Sequence, residues 1–263
     1  MYICPICKQK LNMLGNKYVC AKNHSFDLAR QGYVNLLPVS GKKSLNPGDN
    51  ELMTNARREF LAGGYYDSLL ERICQILKEN GVKTLVDSGC SEGYYTRQMA
   101  NVCKEVYAYD ISKSAVKLAA ATDKKSHYFV ASAFHIPLED GAVDAITKIF
   151  APDSPKEFSR VLNENGILIE VIPAEEHLLE IKQKLYEAVY LNKVDKAEKD
   201  GFEIVGEERL KYTFTPTLEG LDNLFKMTPY YYKTAKSGEN TLMSGNLFAI
   251  TADFLIRIYK KQG

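Results

Sequence analysis

No apolar run in this chain approaches the ~20 residues that a membrane-spanning helix requires, so no spanning segment is expected. The start, Met1-Tyr2-Ile3-Cys4-Pro5, lacks a basic stretch followed by an apolar one. That excludes the pattern of a secretory leader and leaves the cytoplasm as the default address. Cysteine is sparse, with six in 263 residues, and a reducing compartment gives no reason to join them as disulfides. Net charge is nearly absent, at +1, yet it is unevenly shared. Residues 1–49 hold Lys8, Lys10, Lys17, Lys22, Arg30, Lys42 and Lys43 against Asp27 and Asp49, a net of +5, which leaves −4 for the rest. A small basic module joined to a mildly acidic remainder points to a polyanionic partner for the first, although a plain solvated surface accounts for the same charges. The length suffices for one large α/β domain and a small appendage.

What is present begins with the cysteines. Cys74, Cys90 and Cys103 lie scattered in periodic segments and read as small apolar or loop residues. Cys4, Cys7, Cys20 and His24 instead spell C-x2-C-x12-C-x3-H. Three thiolates and one imidazole make a closed tetrahedral set for one structural Zn2+ per chain, with no position left open for catalysis. Gly15-Asn16 supplies the turn that brings the second pair back to the first. So small a ribbon has little core, so the metal is expected to supply its folding energy. Phe26, Tyr33, Val34, Leu36 and Leu37 are expected to cover it. Residues 40–50 carry Gly41, Lys42, Lys43, Pro47 and Gly48 with almost no hydrophobes, which reads as a mobile basic linker suited to phosphate contacts, or as a plain tether. The expected division is a zinc-binding RNA-recognition module over 1–38, a basic linker over 39–50 and a catalytic domain over 51–263.

The stretch Leu85-Val86-Asp87-Ser88-Gly89-Cys90-Ser91-Glu92-Gly93-Tyr94-Tyr95-Thr96 organises the larger part. A hydrophobic run ends in an acid and a tight turn, and a helical pattern follows, as where a parallel sheet presents a nucleotide-like ligand. The dinucleotide fingerprint GxGxxG fits poorly, because Ser91 and Tyr94 stand where its second and third glycines belong. The pattern hydrophobic-Asp-x-Gly-x-x-x-Gly is more similar to the loop of S-adenosylmethionine (SAM) methyltransferases, which usually carry Gly where Ser91 stands. Asp87, Gly89, Ser91, Glu92 and Gly93 are therefore cofactor-site candidates.

The remaining pattern supports that sheet. Asp49 or Asn50 can cap a helix through Met53, Ala56, Phe60 and Leu61, and a second helix is expected over Tyr65–Asn80. Residues 106–111 form a second strand ending in Asp110, placed to accept hydrogen bonds from both ribose hydroxyls; a capping role for Asp110-x-Ser112 is the alternative. Strands follow at 127–131, 142–150 and 166–172. An exocyclic-amine enzyme would show an Asp/Asn-Pro-Pro-aromatic tetrad after the fourth strand, and Ala151-Pro152-Asp153 is not one; Asp153 is a weak candidate general base. Pro173–Val189 reads as an amphipathic helix with His177 near its start, a candidate cofactor contact. An antiparallel pair, 202–215 and 247–259, completes seven strands. The expected fold is α/β, similar to the Rossmann-like class I architecture of SAM-dependent methyltransferases, with an N-terminal zinc ribbon.

Together, the zinc pattern, Gly32-Tyr33-Val34-Asn35-Leu36-Leu37, Pro47-Gly48-Asp49, Asn55-Ala56-Arg57-Arg58 with Phe60-Leu61, Glu92-Gly93-Tyr94-Tyr95 and Met227-Thr228-Pro229 resemble the 23S rRNA (guanine-N1)-methyltransferases of the RlmA type. The resemblance spans nearly the whole chain. It implies methylation, by SAM, of N1 of one guanine in a hairpin of 23S ribosomal RNA. It implies zinc on Cys4, Cys7, Cys20 and His24, and cofactor contacts at Tyr66, Ser91-Glu92 and His177. No membrane partner is expected, and a homodimer is left open. The alternatives are a SAM-dependent methyltransferase of another RNA or of a small molecule, and a non-catalytic RNA-binding protein that has lost SAM.

Overall fold

A computed structural model describes residues 1–38 and 50–262. The proposed linker, apart from Asn50, lies outside the described residues. Near the amino end, Asn12–Leu14 (β1), Lys17–Val19 (β2) and Ser25–Asp27 (β3) form a small antiparallel sheet, turned at Gly15, whose φ is +60°. Tyr33–Asn35 (β4) leaves this sheet and joins the large one.

Helices Glu51–Ala62 (α1) and Asp67–Glu79 (α2) follow. Asn50 is the cap of α1: its side-chain oxygen accepts from the Met53 N–H at 2.9 Å. The apolar stripe of α2, Leu69, Leu70, Ile73, Ile76 and Leu77, is buried as its helical spacing predicts. The chain then alternates Thr84–Ser88 (β5), Tyr94–Met99 (α3), Glu105–Asp110 (β6), Lys113–Thr122 (α4), His127–Val130 (β7), Val143–Ile149 (β8), Pro155–Val161 (α5) and Leu162–Pro173 (β9). After Leu179–Leu185 (α6) come Phe202–Phe214 (β10), Leu218–Lys226 (α7), Tyr230–Lys233 (α8), Lys236–Ser244 (α9) and Ile250–Lys261 (β11).

The strand order is β10-β11-β9-β8-β5-β6-β7-β4. All seven expected strands are present, β5 to β9 parallel and β10 and β11 antiparallel, as expected of the class I sheet. An eighth, β4, pairs in parallel with β7 at the far edge. This corrects half of one expectation: Val34 and Leu36 share an apolar cluster with the ribbon's Cys4, Leu11 and Cys20, whereas Tyr33 and Leu37 pack instead against Val116, Ala119 and Ala120 of α4. The chain winds from β5 outward to β6 and β7, then returns to lay β8 on the other side of β5. That reversal opens a crevice at the carboxyl ends of β5 and β8.

The ribbon is not a bead on a string. Ile3 N–H donates to Pro137 O at 3.0 Å and Glu139 N–H to Met1 O at 2.9 Å. The Tyr2 ring meets Tyr18, Tyr107 and Phe129 edge-on, at 5.1, 5.7 and 5.3 Å. Cys4, Leu11 and Cys20 share one apolar cluster with Val86, Tyr107, Tyr109 and Phe129 of the sheet. One face of the sheet is thus covered by the ribbon and α5, the other by α1, α2 and the carboxyl-terminal helices. Among the described residues no helix is long and apolar enough to cross a membrane.

Candidate functional site

The loop after β5 is built by residues with left-handed backbone: Gly89 (φ +78°), Ser91 (φ +47°) and Gly93 (φ +81°). A Cβ on Gly89 would lie 2.5 Å from the Ala151 Cβ, and one on Gly93 2.9 Å from both the Ala119 Cβ and the Tyr128 hydroxyl. Close approach and φ together therefore demand glycine at both positions. Ser91 takes a glycine-like conformation, which accounts for the glycine that related loops carry there. It is held from two sides: its N–H donates to Asp110 Oδ2 at 3.0 Å, and its hydroxyl accepts from Arg57 Nη1 of α1 at 2.9 Å.

Asp87 lies beneath the loop. It is buried, and its two oxygens accept from the Thr96 and Thr147 hydroxyls at 2.6 and 3.0 Å. Burial raises its pKa to about 6, the two hydroxyls work the other way, and the nearby Asp110 and Glu92 carboxylates raise it further. Asp110 accepts from the N–H groups of Ser91 and Ser112, so the ribose acceptor expected from the sequence also ties the loop to the start of α4. Ser112 is the actual cap of α4.

Glu92 is 2% exposed, and its Oε2 has no hydrogen-bond partner among the described residues. Burial raises the Cys90 thiol pKa, and the carboxylates of Asp110, Asp87 and Glu92 add to that, so three negative groups crowd one loop. Such a crevice favours a cationic ligand. The sulfonium and ammonium of SAM supply that charge, and the orphaned Glu92 oxygen asks for it; the residues present fit this cofactor.

An aromatic wall faces the loop. Tyr66 stands at the start of α2, and its hydroxyl lies 3.5 Å from His177 Nε2. His177 Nδ1 accepts from the Asp253 N–H at 3.4 Å, which leaves the proton of the neutral ring on Nε2, toward Tyr66. Burial lowers the His177 pKa to about 3, so the ring is neutral at physiological pH. The Phe254 ring lies 4.9 Å from it, and the Phe150 ring lies nearly parallel to it at 6.3 Å. The long helix expected over 173–189 is not formed. Only α6 is helical, because β11 captures the backbone before it: Ala174 N–H donates to Asp253 O, Glu176 N–H to Asp253 Oδ2 and Leu178 N–H to Thr251 O. Those bonds set His177 on a turn facing Tyr66.

Asp153 is engaged elsewhere. Its Oδ2 is ion-paired with Lys199, whose Nζ also reaches Glu170 at 3.3 Å. Sequence reasoning missed Phe150, Phe254, Tyr95 and Arg57 as neighbours of the crevice. Phe150 left a weak signal, a bulky apolar residue directly before Ala-Pro-Asp at a strand end; it proves 45% exposed with φ +53°. Phe254, deep in a late strand, left none.

The second site is the ribbon's cluster. The ligand atoms of Cys4, Cys7, Cys20 and His24 all lie within 4.8 Å of one another. His24 Nδ1 is 3.4 Å from the sulfurs of Cys4 and Cys20, and Cys7 Sγ is 3.6 Å from Cys20 Sγ. Zn–S bonds of about 2.3 Å at tetrahedral angles demand edges of about 3.8 Å, so the set fits zinc. Two tight turns close it, with Lys8 (φ +62°) after the first pair and Asn23 (φ +61°) inside the second. Burial raises the Cys20 thiol pKa, but the backbone around His24 and Lys22 and the neighbouring thiols outweigh it, to about 7. That favours the thiolate, the form that binds metal.

Comparison with known proteins finds a zinc ribbon followed by a methyltransferase domain. Residues 2–45 match the zinc-ribbon model described as RlmA, N-terminal, and residues 86–169 match a methyltransferase-domain model. A 23S rRNA (guanine(748)-N(1))-methyltransferase of Streptomyces fradiae is 32% identical over 242 positions, covering 86% of this chain and 84% of that one. A provisionally named 23S rRNA (guanine-N(1)-)-methyltransferase of Bacillus subtilis is 29% identical over 283 positions, covering 99% and 97%. Another provisionally named protein of that activity, from Micromonospora griseorubida, is 34% identical over 208 positions, covering 69% and 68%.

Proposed function

Since the chain belongs to the family of 23S rRNA (guanine-N1)-methyltransferases, we propose that it transfers the methyl group of SAM to N1 of one guanine in a hairpin of 23S ribosomal RNA. It is a SAM-dependent rRNA methyltransferase; the hairpin, the single guanine and the roles of individual residues are this proposal. The observation that carries it is the union of two sites in one chain: a basic zinc ribbon docked on the sheet, and an anionic crevice at the switch point with an unpartnered buried carboxylate.

SAM, when bound, supplies an electrophilic methyl group on a sulfonium. The chain's own residues align and enclose. Gly89 and Gly93 let the loop lie close to the strand ends, and Asp87 braces that loop from beneath through Thr96 and Thr147. Ser91 and Asp110 would hold the cofactor's sugar, and Tyr66 and neutral His177, in contact with each other, would help to enclose it. His177, with its pKa near 3, is too weak a base to take the N1 proton. Catalysis then rests mainly on positioning the guanine edge in line with the methyl group. N1 lies on the pairing edge, so the base must be unpaired or flipped, which a hairpin loop permits. Residues 1–38 would grip the phosphates and residues 51–263 perform the chemistry, in the cytoplasm, where ribosomal RNA is at hand.

The test is transfer of labelled methyl from SAM to 23S rRNA hairpin transcripts, with the product nucleoside identified by mass spectrometry. N1-methylguanosine from one loop position is expected. Label on another atom, or none on RNA, would remove the assignment.

A further inference from the structure

Between α6 and β10, residues 186–198 form neither helix nor strand. A connection of that length inside a folded domain is uncommon and usually has a task. This one runs back to the turn that carries His177. The Asn192 N–H donates to Glu175 O at 2.8 Å, and its side-chain Nδ2 donates to Ala174 O at 2.9 Å and to His177 O at 3.2 Å. Lys182 sets which way the amide points: its Nζ can only donate, and it reaches Asn192 Oδ1 at 2.7 Å. Further on, Arg257 Nη1 donates to Asp195 O at 2.9 Å, a second anchor for the segment. The turn needs such a hold. Leu178 follows His177 with φ +58°, a left-handed backbone unfavourable for leucine, and no side chain caps α6 there. Strain of that kind persists where surrounding bonds over-determine the conformation. Here β11 accepts from the N–H groups of Ala174, Glu176 and Leu178, and Asn192 donates to the carbonyls of Ala174, Glu175 and His177.

We propose that Asn192 is a positioning residue for His177: its side-chain amide pins the carbonyls of the turn, so that the ring stays against Tyr66 in the wall of the crevice. The ring's own contacts are long, 3.4 Å from the Asp253 N–H and 3.5 Å to the Tyr66 hydroxyl, and hold it weakly. Without the amide the carbonyls of Ala174 and His177 lose a donor, and the turn gains freedom to swing the ring toward solvent. Asn192 then acts on the methyl donor only through the ring. That consequence rests on the crevice being a SAM site; the hold on the ring does not.

Two measurements on the zinc-loaded full chain test this. In the first, labelled histidine is followed by NMR as the pH is lowered. The chain has four histidines, and the signal missing from His177→Ala identifies the one of interest. Burial lowers the His177 pKa to about 3, with Asp253 opposing that shift and Lys182 adding to it, so the wild-type ring should still be neutral at about pH 5. Asn192→Ala changes no charge, yet it should move the titration back toward the ordinary 6.5, while the other three histidine signals report that the variant is folded. The second measurement is calorimetric titration with S-adenosylhomocysteine. Asn192→Ala should raise its Kd ~10-fold, about the worth of one net hydrogen bond. In the His177→Ala background the same substitution should change Kd by less than about twofold, because a residue that acts through the ring has nothing left to act on. An unchanged His177 titration in Asn192→Ala, or equal losses of affinity with and without the His177 ring, would overturn the proposal. Wild-type protein that does not bind S-adenosylhomocysteine would instead remove the SAM reading, and the NMR titration alone would then decide the role of Asn192.

Discussion

The zinc ribbon and the crevice hold their ligands by opposite constructions. In the ribbon, all four ligands come from one short stretch, Cys4 to His24, and two tight turns close the set. In the crevice, Tyr66, Glu92, Asp110, Phe150, His177 and Phe254 come from separate elements spread along the chain, and only the winding of the sheet brings them together. The ribbon is expected to depend on its metal for its fold, whereas the crevice is already organised by bonds of Asp87 to Thr96 and Thr147 and of Asp110 to the Ser91 N–H. A local site is cheap in chain length and needs a metal to be stable; a dispersed site uses the stability of a whole sheet.

The largest expected effect lies in the metal. Zinc contributes on the order of 10 kcal/mol to the folding of such small modules. Cys20→Ala should therefore lower bound zinc from one per chain to none and open residues 1–28 to protease, while β5 to β11 stay resistant. A metal-free ribbon that remained resistant would show that its core shared with the sheet suffices, and would erase the contrast.

That shared core is the next test. Tyr2 is buried against Tyr18, Tyr107 and Phe129, and truncating a buried aromatic to alanine costs about 3–5 kcal/mol. If ribbon and sheet are one cooperative unit, Tyr2→Ala should shift a single urea transition by that amount. A separate early transition, with the main one unmoved, would make the ribbon an independent domain.

The smallest effect concerns the crevice. The Asp87 pKa, about 6 in the fold, lies above that of a free carboxyl, 3.8. The unfolded chain then loses this proton first, so stability falls as pH rises from about 4 through 6. Relative to Asp87→Asn, which cannot titrate, the wild type should lose about 3 kcal/mol over that window. Measuring both proteins across it cancels the acid lability of the zinc site. A flat difference would show that Asp87 is ionised in the fold without penalty.

How much was legible beforehand follows the same division. The four zinc ligands could be read directly, because metal geometry imposes spacing on neighbouring residues. The strands from β5 to β9 were legible because buried parallel strands are continuous in hydrophobes and end at turns. The glycines at 89 and 93 were legible because a left-handed backbone leaves few other choices. The helix over 173–189 was misread: its amphipathic spacing is real, but Asp253 and Thr251 of β11 capture the backbone of 174–178. Such competition between distant segments leaves no local mark. Tyr33, Val34, Leu36 and Leu37 were apolar as noted, yet nothing in their pattern told that only Val34 and Leu36 would meet the ribbon's cluster.

By itself, then, the order of residues determined the metal set, the loop, the seven strands and the family likeness, since each ligand pair, strand and motif that carries them is written within a few consecutive positions. Only the tertiary structure decided that the chain after the ribbon lends an eighth strand to the sheet, that His177 turns to Tyr66, and that Glu92 Oε2 and the Tyr95 hydroxyl have no hydrogen-bond partner among the described residues. Those facts depend on which surfaces meet across long chain separations, where packing and burial choose among contacts that local spacing leaves equivalent.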